Sequence, residues 1–205
     1  MDTAARVRIQ KNSSKKVALM SSLFLFIMLL CPCTIFIFTT ATQSTASMFV
    51  AELDQSGRVD QTDRPTVLAF ANGLRFSIRL SGRAKREILT ILRRERKGKK
   101  EQHTLYILIF ATLVYLLLKE HIDKLNTVVI DTEFVGHEAT IKDHVLNLFR
   151  RRDVIVSSDT FVFHQIGKKS PAHELAIKVF RGEAPAGKEI SVAEVLAEFG
   201  LEHKK

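Results

Sequence analysis

The sequence predicts an α/β domain: a mixed five-stranded sheet with three antiparallel strands at its start and flanking helices. Three observations carry that expectation. Short apolar or alternating segments separated by turn residues open the domain, and two long stretches of helical character follow. The remaining chain then reads strand, helix, strand, helix, the alternation of α/β folds.

From Met48, MFVAELD reads as a first strand, and SGRVDQTDRP, punctuated by Gly57 and Pro65, as a turn-rich connection. TVLAFAN is a second strand. Asn72-Gly73 is a two-residue hairpin signal into LRFSIRL, where Leu74, Phe76, Ile78 and Leu80 alternate cleanly. After Ser81-Gly82 a helix places Ile88, Leu89, Ile91 and Leu92 on one side and arginines on the other. Between Arg83 and Lys100 nine basic residues stand against Glu87 and Glu95, which is either a solvated face or a phosphate-contacting patch. Thr104 to Leu118, TLYILIFATLVYLLL, is apolar all round but only 15 residues long. That is short for a bilayer and suits a helix buried against a sheet.

NTVVIDTEF is the fourth strand, and its unbroken Val-Val-Ile run predicts burial on both faces. HEATIKDHVLNLFRRR returns to helical period with Ile141, Val145, Leu148 and Phe149 on one face, leaving His137, Glu138, Asp143 and His144 for the polar face. TFVFHQI is a fifth strand ended by Gly167. SPAHELAIKVF then begins a helix with Ser170 as N-cap and Pro171 at the first helical position.

At 205 residues and 46% hydrophobic content the chain suffices for one domain with a real core. A net charge of +9 and a pI near 9.7 favour a polyanionic partner, either nucleic acid or an anionic membrane surface. The only two cysteines, Cys31 and Cys33, lie in an apolar run and define neither a disulfide framework nor a thiolate metal site. The run from Gly167 to Ser170 lacks the upstream glycine of a P-loop, which excludes a nucleoside-triphosphate site of that kind.

Residues 1–47 are set apart from this domain. Val17 to Thr39 runs for 23 residues without a charge, long enough to cross a bilayer. Lys11, Lys15 and Lys16 precede it and no charge follows until Glu52, so as an anchor it orients the N-terminus to the cytoplasm. The same pattern fits a signal peptide, or an upstream extension of a reading frame that starts at Met48. A start at Met48 implies a cytoplasmic protein; otherwise the chain is a single-pass membrane protein associated through residues 17–39. From Met48 onward 26 basic residues against 21 acidic ones leave the domain near +5.

Asp54 in the first strand and Asp131 at the end of the fourth, within this order of elements, resemble the ribonuclease H-like superfamily. In the ribonuclease H pattern an acid sits in strand one, an acid on the following helix, an acid at the end of strand four and a fourth ligand on the last helix. SPAHELAIKVF resembles the segment that carries that fourth ligand, with His173 where an Asp is expected. Glu87, Glu95 and Glu101 are the candidates for the helix-borne acid, and none has the expected spacing to Asp131. DTEF is also similar to the first motif of the DEDD exonucleases. In that family the motif opens the first strand, whereas only 72 residues follow Glu133 here.

Residues two apart on a strand share a face, so Asp131 and Glu133 are expected to point the same way and share a metal ion. Asp54 adds a third carboxylate, an oxygen-rich set suited to Mg²⁺ or Mn²⁺. The resemblance implies a nuclease whose metal ligands are Asp54, Asp131, Glu133 and His173, with Asp54, Asp131 and His173 in the catalytic roles. Arg86, Arg93, Arg94 and Lys97, with Lys168 and Lys169, are the candidate contacts to RNA or DNA. The plainer alternatives are acids that end a strand in solvent, Asp54 as a turn residue before Ser56-Gly57, and His173 as a surface histidine. At the level of function they correspond to a non-catalytic nucleic-acid-binding module or to a membrane-anchored or exported interaction domain.

Overall fold

The computed structural model describes residues 49–95 and 102–203. Met48, the apolar segment 17–39, Lys97 and Glu101 lie outside the described residues. Among the described residues no helix is long and apolar enough to cross a membrane. The elements are β1 (Phe49–Ser56), β2 (Thr66–Ala71), β3 (Phe76–Leu80), α1 (Gly82–Glu95) and α2 (Gln102–Leu118). There follow β4 (Leu125–Ile130), α3 (Glu138–Arg150), β5 (Phe161–Phe163), α4 (Pro171–Arg181), β6 (Lys188–Glu189) and α5 (Val192–Glu198).

The class is α/β, with one mixed sheet in the order β5-β4-β1-β2-β3-β6. Strands β1, β2 and β3 are antiparallel neighbours, β4 runs parallel to β1, and β5 runs parallel to β4. The sheet has six strands where five were expected. The sixth pairs with β3 over Lys188 and Glu189, fastened by Ile190 N–H to the Arg79 carbonyl and by the Arg79–Glu189 ion pair at 2.9 Å. Helix α5 follows it and was not anticipated either, although SVAE carries the S-x-x-E capping signal. Ser191 Oγ accepts from Glu194 N–H while the Glu194 carboxylate accepts from Ser191 N–H.

Helices cover the two faces of the sheet unequally. Leu53, Leu68, Phe70, Ile78 and Leu80 point to one face, where α1, α2 and α3 close the main core. On the other, Val67 and Ala69 meet Ala176 and Val179 of α4. Strand β2 is therefore buried at all six positions. Strand β4 is not: Val128 and Ile130 are buried, but Val129 is only half-buried, because α4 lies over β1 and β2 and does not reach across β4. The expectation of burial on both faces belongs to β2. The open half of that face also leaves Val50 and Val162 exposed.

The apolar helix behaves as a core element. Every residue from Ile107 to Leu118 is buried, and each large side chain there contributes about 1.5–3 kcal/mol of transfer free energy. Thr112, buried within it, donates to the Leu108 carbonyl and lies 3.1 Å from His144 Nε2. His144 is thus a partner of α2 and not a member of a solvated face. All four residues expected inward on α3 are buried.

The hairpin is wider than Asn72-Gly73 alone requires. Both residues take positive φ, 111° and 89°, yet the last cross-strand pair is Phe70 with Phe76, and four residues separate the strands. Leu74 leaves the ladder because it packs on the main core from within the turn. Gly73 is required there twice over, by its φ and by the Phe49 ring, which occupies the space a Cβ would need.

Candidate metal centre

Alternation along β1 places Ala51 and Leu53 in the main core, so Glu52 and Asp54 face the side covered by α4. Parallel pairing sets Leu53 opposite Ile130, and Asp131 N–H donates to the Leu53 carbonyl at 3.0 Å. Asp131 therefore sits beside Asp54 on the neighbouring strand's continuation. The ladder stops at Ile130, however, and Glu133 N–H turns back onto the Asp131 carbonyl at 2.9 Å. Strand alternation does not bring Glu133 in, as had been expected; this tight turn does. The result is one carboxylate oxygen from each of Asp54, Asp131 and Glu133, all within 4.8 Å of one another.

Two neighbouring segments hold these acids. The loop after β5 presents Ile166 N–H to Asp131 Oδ1 at 2.7 Å. Helix α4 starts as predicted, with Ser170 Oγ accepting from Ala172 N–H and Pro171 in the first turn. That puts His173 over β1, its Nδ1 at 2.7 Å from Asp54 Oδ2. His173 is a partner of Asp54 and stands outside the group of three.

The site stores electrostatic repulsion. Asp54 is only 4% exposed, and burial pushes its carboxyl above the usual range, against the pull of the His173 hydrogen bond. Glu133 is also pushed up, first by burial and then by the charges of Asp131 and Asp54, with Arg58 opposing. Three converging carboxylates need protons or a cation. Oxygens around one Mg²⁺ at about 2.0–2.1 Å lie roughly 3–4 Å apart, and wider for Ca²⁺. The donor set therefore fits a hard divalent ion, closing slightly for Mg²⁺ or Mn²⁺.

The basic residues are distributed less tightly. Lys168 and Lys169 are exposed in the same loop that supplies Ile166. Helix α1 starts at the end of β3, the sheet edge where β1 also ends, and Arg86 near its start donates to the Thr62 carbonyl at 2.5 Å. Arg93 and Arg94 lie about 10 Å further along the helix axis, on the face opposite α4. The structure does not gather them at the acids. Neither described candidate for the helix-borne acid joins the cluster: Glu87 contacts His203 at 2.8 Å and Glu95 pairs with Arg94 at 3.2 Å.

Some participants had escaped notice. Glu52 accepts from Ser170 Oγ at 2.6 Å, and its position two before Asp54 in a strand was the available signal. The loop between β1 and β2 brings Arg58 and Asp60 into electrostatic reach of Glu133. It is held by Lys85 of α1, whose ammonium donates to the Arg58 carbonyl, the Gln61 carbonyl and Thr66 Oγ1 at 3.0, 2.6 and 2.8 Å. No protein-family model, no curated protein and no solved structure matches this chain. The functional argument therefore rests on the site itself.

Proposed function

We propose that the domain is a ribonuclease H-like, metal-dependent phosphodiesterase acting on nucleic acid. The observation that carries this reading is the convergence of Asp54, Asp131 and Glu133 where two adjacent parallel strands end. The order β5-β4-β1-β2-β3, antiparallel over the first three strands and parallel over β4 and β5, supports the fold assignment. The domain's basic balance supports a polyanionic substrate.

Asp54, Asp131 and Glu133 would hold Mg²⁺ or Mn²⁺. A bound divalent cation supplies a Lewis acid for a phosphoryl oxygen and acidifies an attacking water. The residues themselves divide the remaining work. With Nδ1 2.7 Å from Asp54 Oδ2, His173 would donate its Nδ1 proton to that carboxylate and keep the Nε2 lone pair free to take a proton. Ile166 N–H fixes the orientation of Asp131. Lys168 and Lys169, exposed in that loop, and Arg86 at the same end of the sheet would meet phosphates. Ser170 is no nucleophile: it is buried, and its hydroxyl is spent on Glu52 and on the helix cap.

The absence of Glu87 and Glu95 from the cluster favours a second reading, a non-catalytic nucleic-acid-binding module of the same fold. A cleavage assay on single- and double-stranded RNA and DNA with Mn²⁺ separates the two. The first reading expects cleavage that Asp131→Asn abolishes; binding without cleavage selects the second. Mapping the translated start decides between a protein beginning at Met48 and one anchored through residues 17–39.

A further inference from the structure

We propose that Glu52 is a positioning residue for the site, setting the contact between Asp54 and His173 through the hydroxyl of Ser170. The inference rests on the reading of His173 as part of the site. Glu52 and Asp54 are two apart on β1, so their side chains leave one face about 6.6 Å from each other. Ser170 and His173 are three apart across the start of α4 and project from the same side of its first turn. Two acids on the strand thus meet two polar groups on the helix: Ser170 Oγ at 2.6 Å from Glu52 Oε2 and His173 Nδ1 at 2.7 Å from Asp54 Oδ2.

Apolar contacts hold α4 against β2 and the connection that follows β1. The helix rests on β2 through Ala176 and Val179, with Leu175 and Phe180 packed beside them and the Phe180 ring in the space a Cβ at Gly57 would need; hydrophobic burial of this kind is not directional. Sliding by one residue moves a helix about 1.5 Å along its axis. That is enough to break a 2.7 Å hydrogen bond. Ser170 adds a directional contact between the helix and β1. It is only 9% exposed, and its hydroxyl donates to Glu52 while accepting from Ala172 N–H, so one side chain both caps the helix and ties the cap to β1. Glu52 acts on His173 only through this tie.

The test separates the cap from the tie. Asp at position 170 is as good an N-cap as Ser, but an ionised carboxylate cannot donate to Glu52. Ser170→Asp therefore keeps the cap and breaks the tie, as Glu52→Ala does from the other side. Glu52→Gln keeps an amide oxygen to accept the hydroxyl. The readout is the ¹⁵N spectrum of the histidine-labelled full chain, with the His173 signals assigned by their loss in His173→Gln. Wild type and Glu52→Gln should show one tautomer with Nδ1 protonated; Glu52→Ala and Ser170→Asp should lose that single-tautomer pattern while circular dichroism stays unchanged. Should either variant fail to fold, the other and Glu52→Gln still decide. A wild-type pattern in the folded tie-breaking variants overturns the proposal, and so does its loss in Glu52→Gln. No cation or substrate enters the measurement, so a positive result alongside a protein indifferent to Mn²⁺ would count against the phosphodiesterase reading alone.

Discussion

At the scale of single residues the site is defined by three carboxylates held closer than their charges favour. Burial and mutual repulsion raise the proton affinity of Glu133 in the native state above that in the unfolded chain. The native state then binds the extra proton, so the metal-free protein loses stability as pH rises from about 4 through the raised native value. Glu133→Gln removes that penalty. In the absence of divalent ions the variant should melt above wild type at pH 7 and level with it near pH 4, by differential scanning fluorimetry with chelator present; equal melting temperatures at both would show that Glu133 is not strained. Asp131 was legible as a candidate because an acid at the end of an apolar strand has no reason of packing to be there, and Asp54 through its place in the pattern that resembles ribonuclease H. Glu133 was legible for the wrong reason, since a turn and not the strand presents it. Glu52 was overlooked because its purpose depends on a partner 118 residues away in sequence.

At the scale of elements, Lys85 shows how a helix and a loop are joined beneath the site. It is 1% exposed, and burial pulls its ammonium down to about 8, while three oxygens saturate its donors. Lys85→Met leaves two carbonyls and Thr66 short of a donor and should cost about 1–3 kcal/mol, measured by urea unfolding. The pH dependence has a definite sign. With the native value below the unfolded one near 10.4, raising pH through that interval favours the native state. Wild type should therefore gain on Lys85→Met between pH 8 and pH 10; a constant difference would mean the amine is not depressed. Nothing in the sequence marked Lys85, which stands among exposed arginines of α1 and differs from them in being buried under the loop. The helices themselves were legible from period and caps, α1, α3 and α4 most clearly. Strand β6 was not, because a two-residue strand has no period to detect, and α5 was marked only by its capping signal, since seven residues hold barely two turns.

At the scale of the whole molecule the sheet separates a main core on one face from a smaller cluster under α4 on the other. A protein spanning 48–205 should be soluble and monodisperse without detergent, since the apolar helix α2 is buried against the sheet. Recovery only from membranes would contradict that placement. Nucleic-acid binding should weaken steeply with salt, each phosphate contact adding about 0.7–0.9 to the slope of log K against log salt. Reversing Arg86, Lys168 and Lys169 should flatten that slope more than reversing Arg93 and Arg94, because only the former lie at the edge where the acids sit. An equal effect of both sets, in fluorescence anisotropy over a salt series, would move the binding surface away from the acids.

The most direct measurement is a thermal melt with and without Mn²⁺. If Asp54, Asp131 and Glu133 hold a divalent ion, native-state binding at a hundredfold excess over the dissociation constant adds about 2.7 kcal/mol. For a domain of this size that is roughly 5–10 °C in melting temperature. Asp131→Asn should abolish the shift and leave the fold intact, because the amide oxygen can still accept from Ile166 N–H. Asp54→Asn should do the same, and His173→Ala should retain most of the shift while losing cleavage. A wild-type protein whose melting temperature does not respond to Mn²⁺ would contradict the metal centre, and with it the assignment of the domain as a metal-dependent phosphodiesterase.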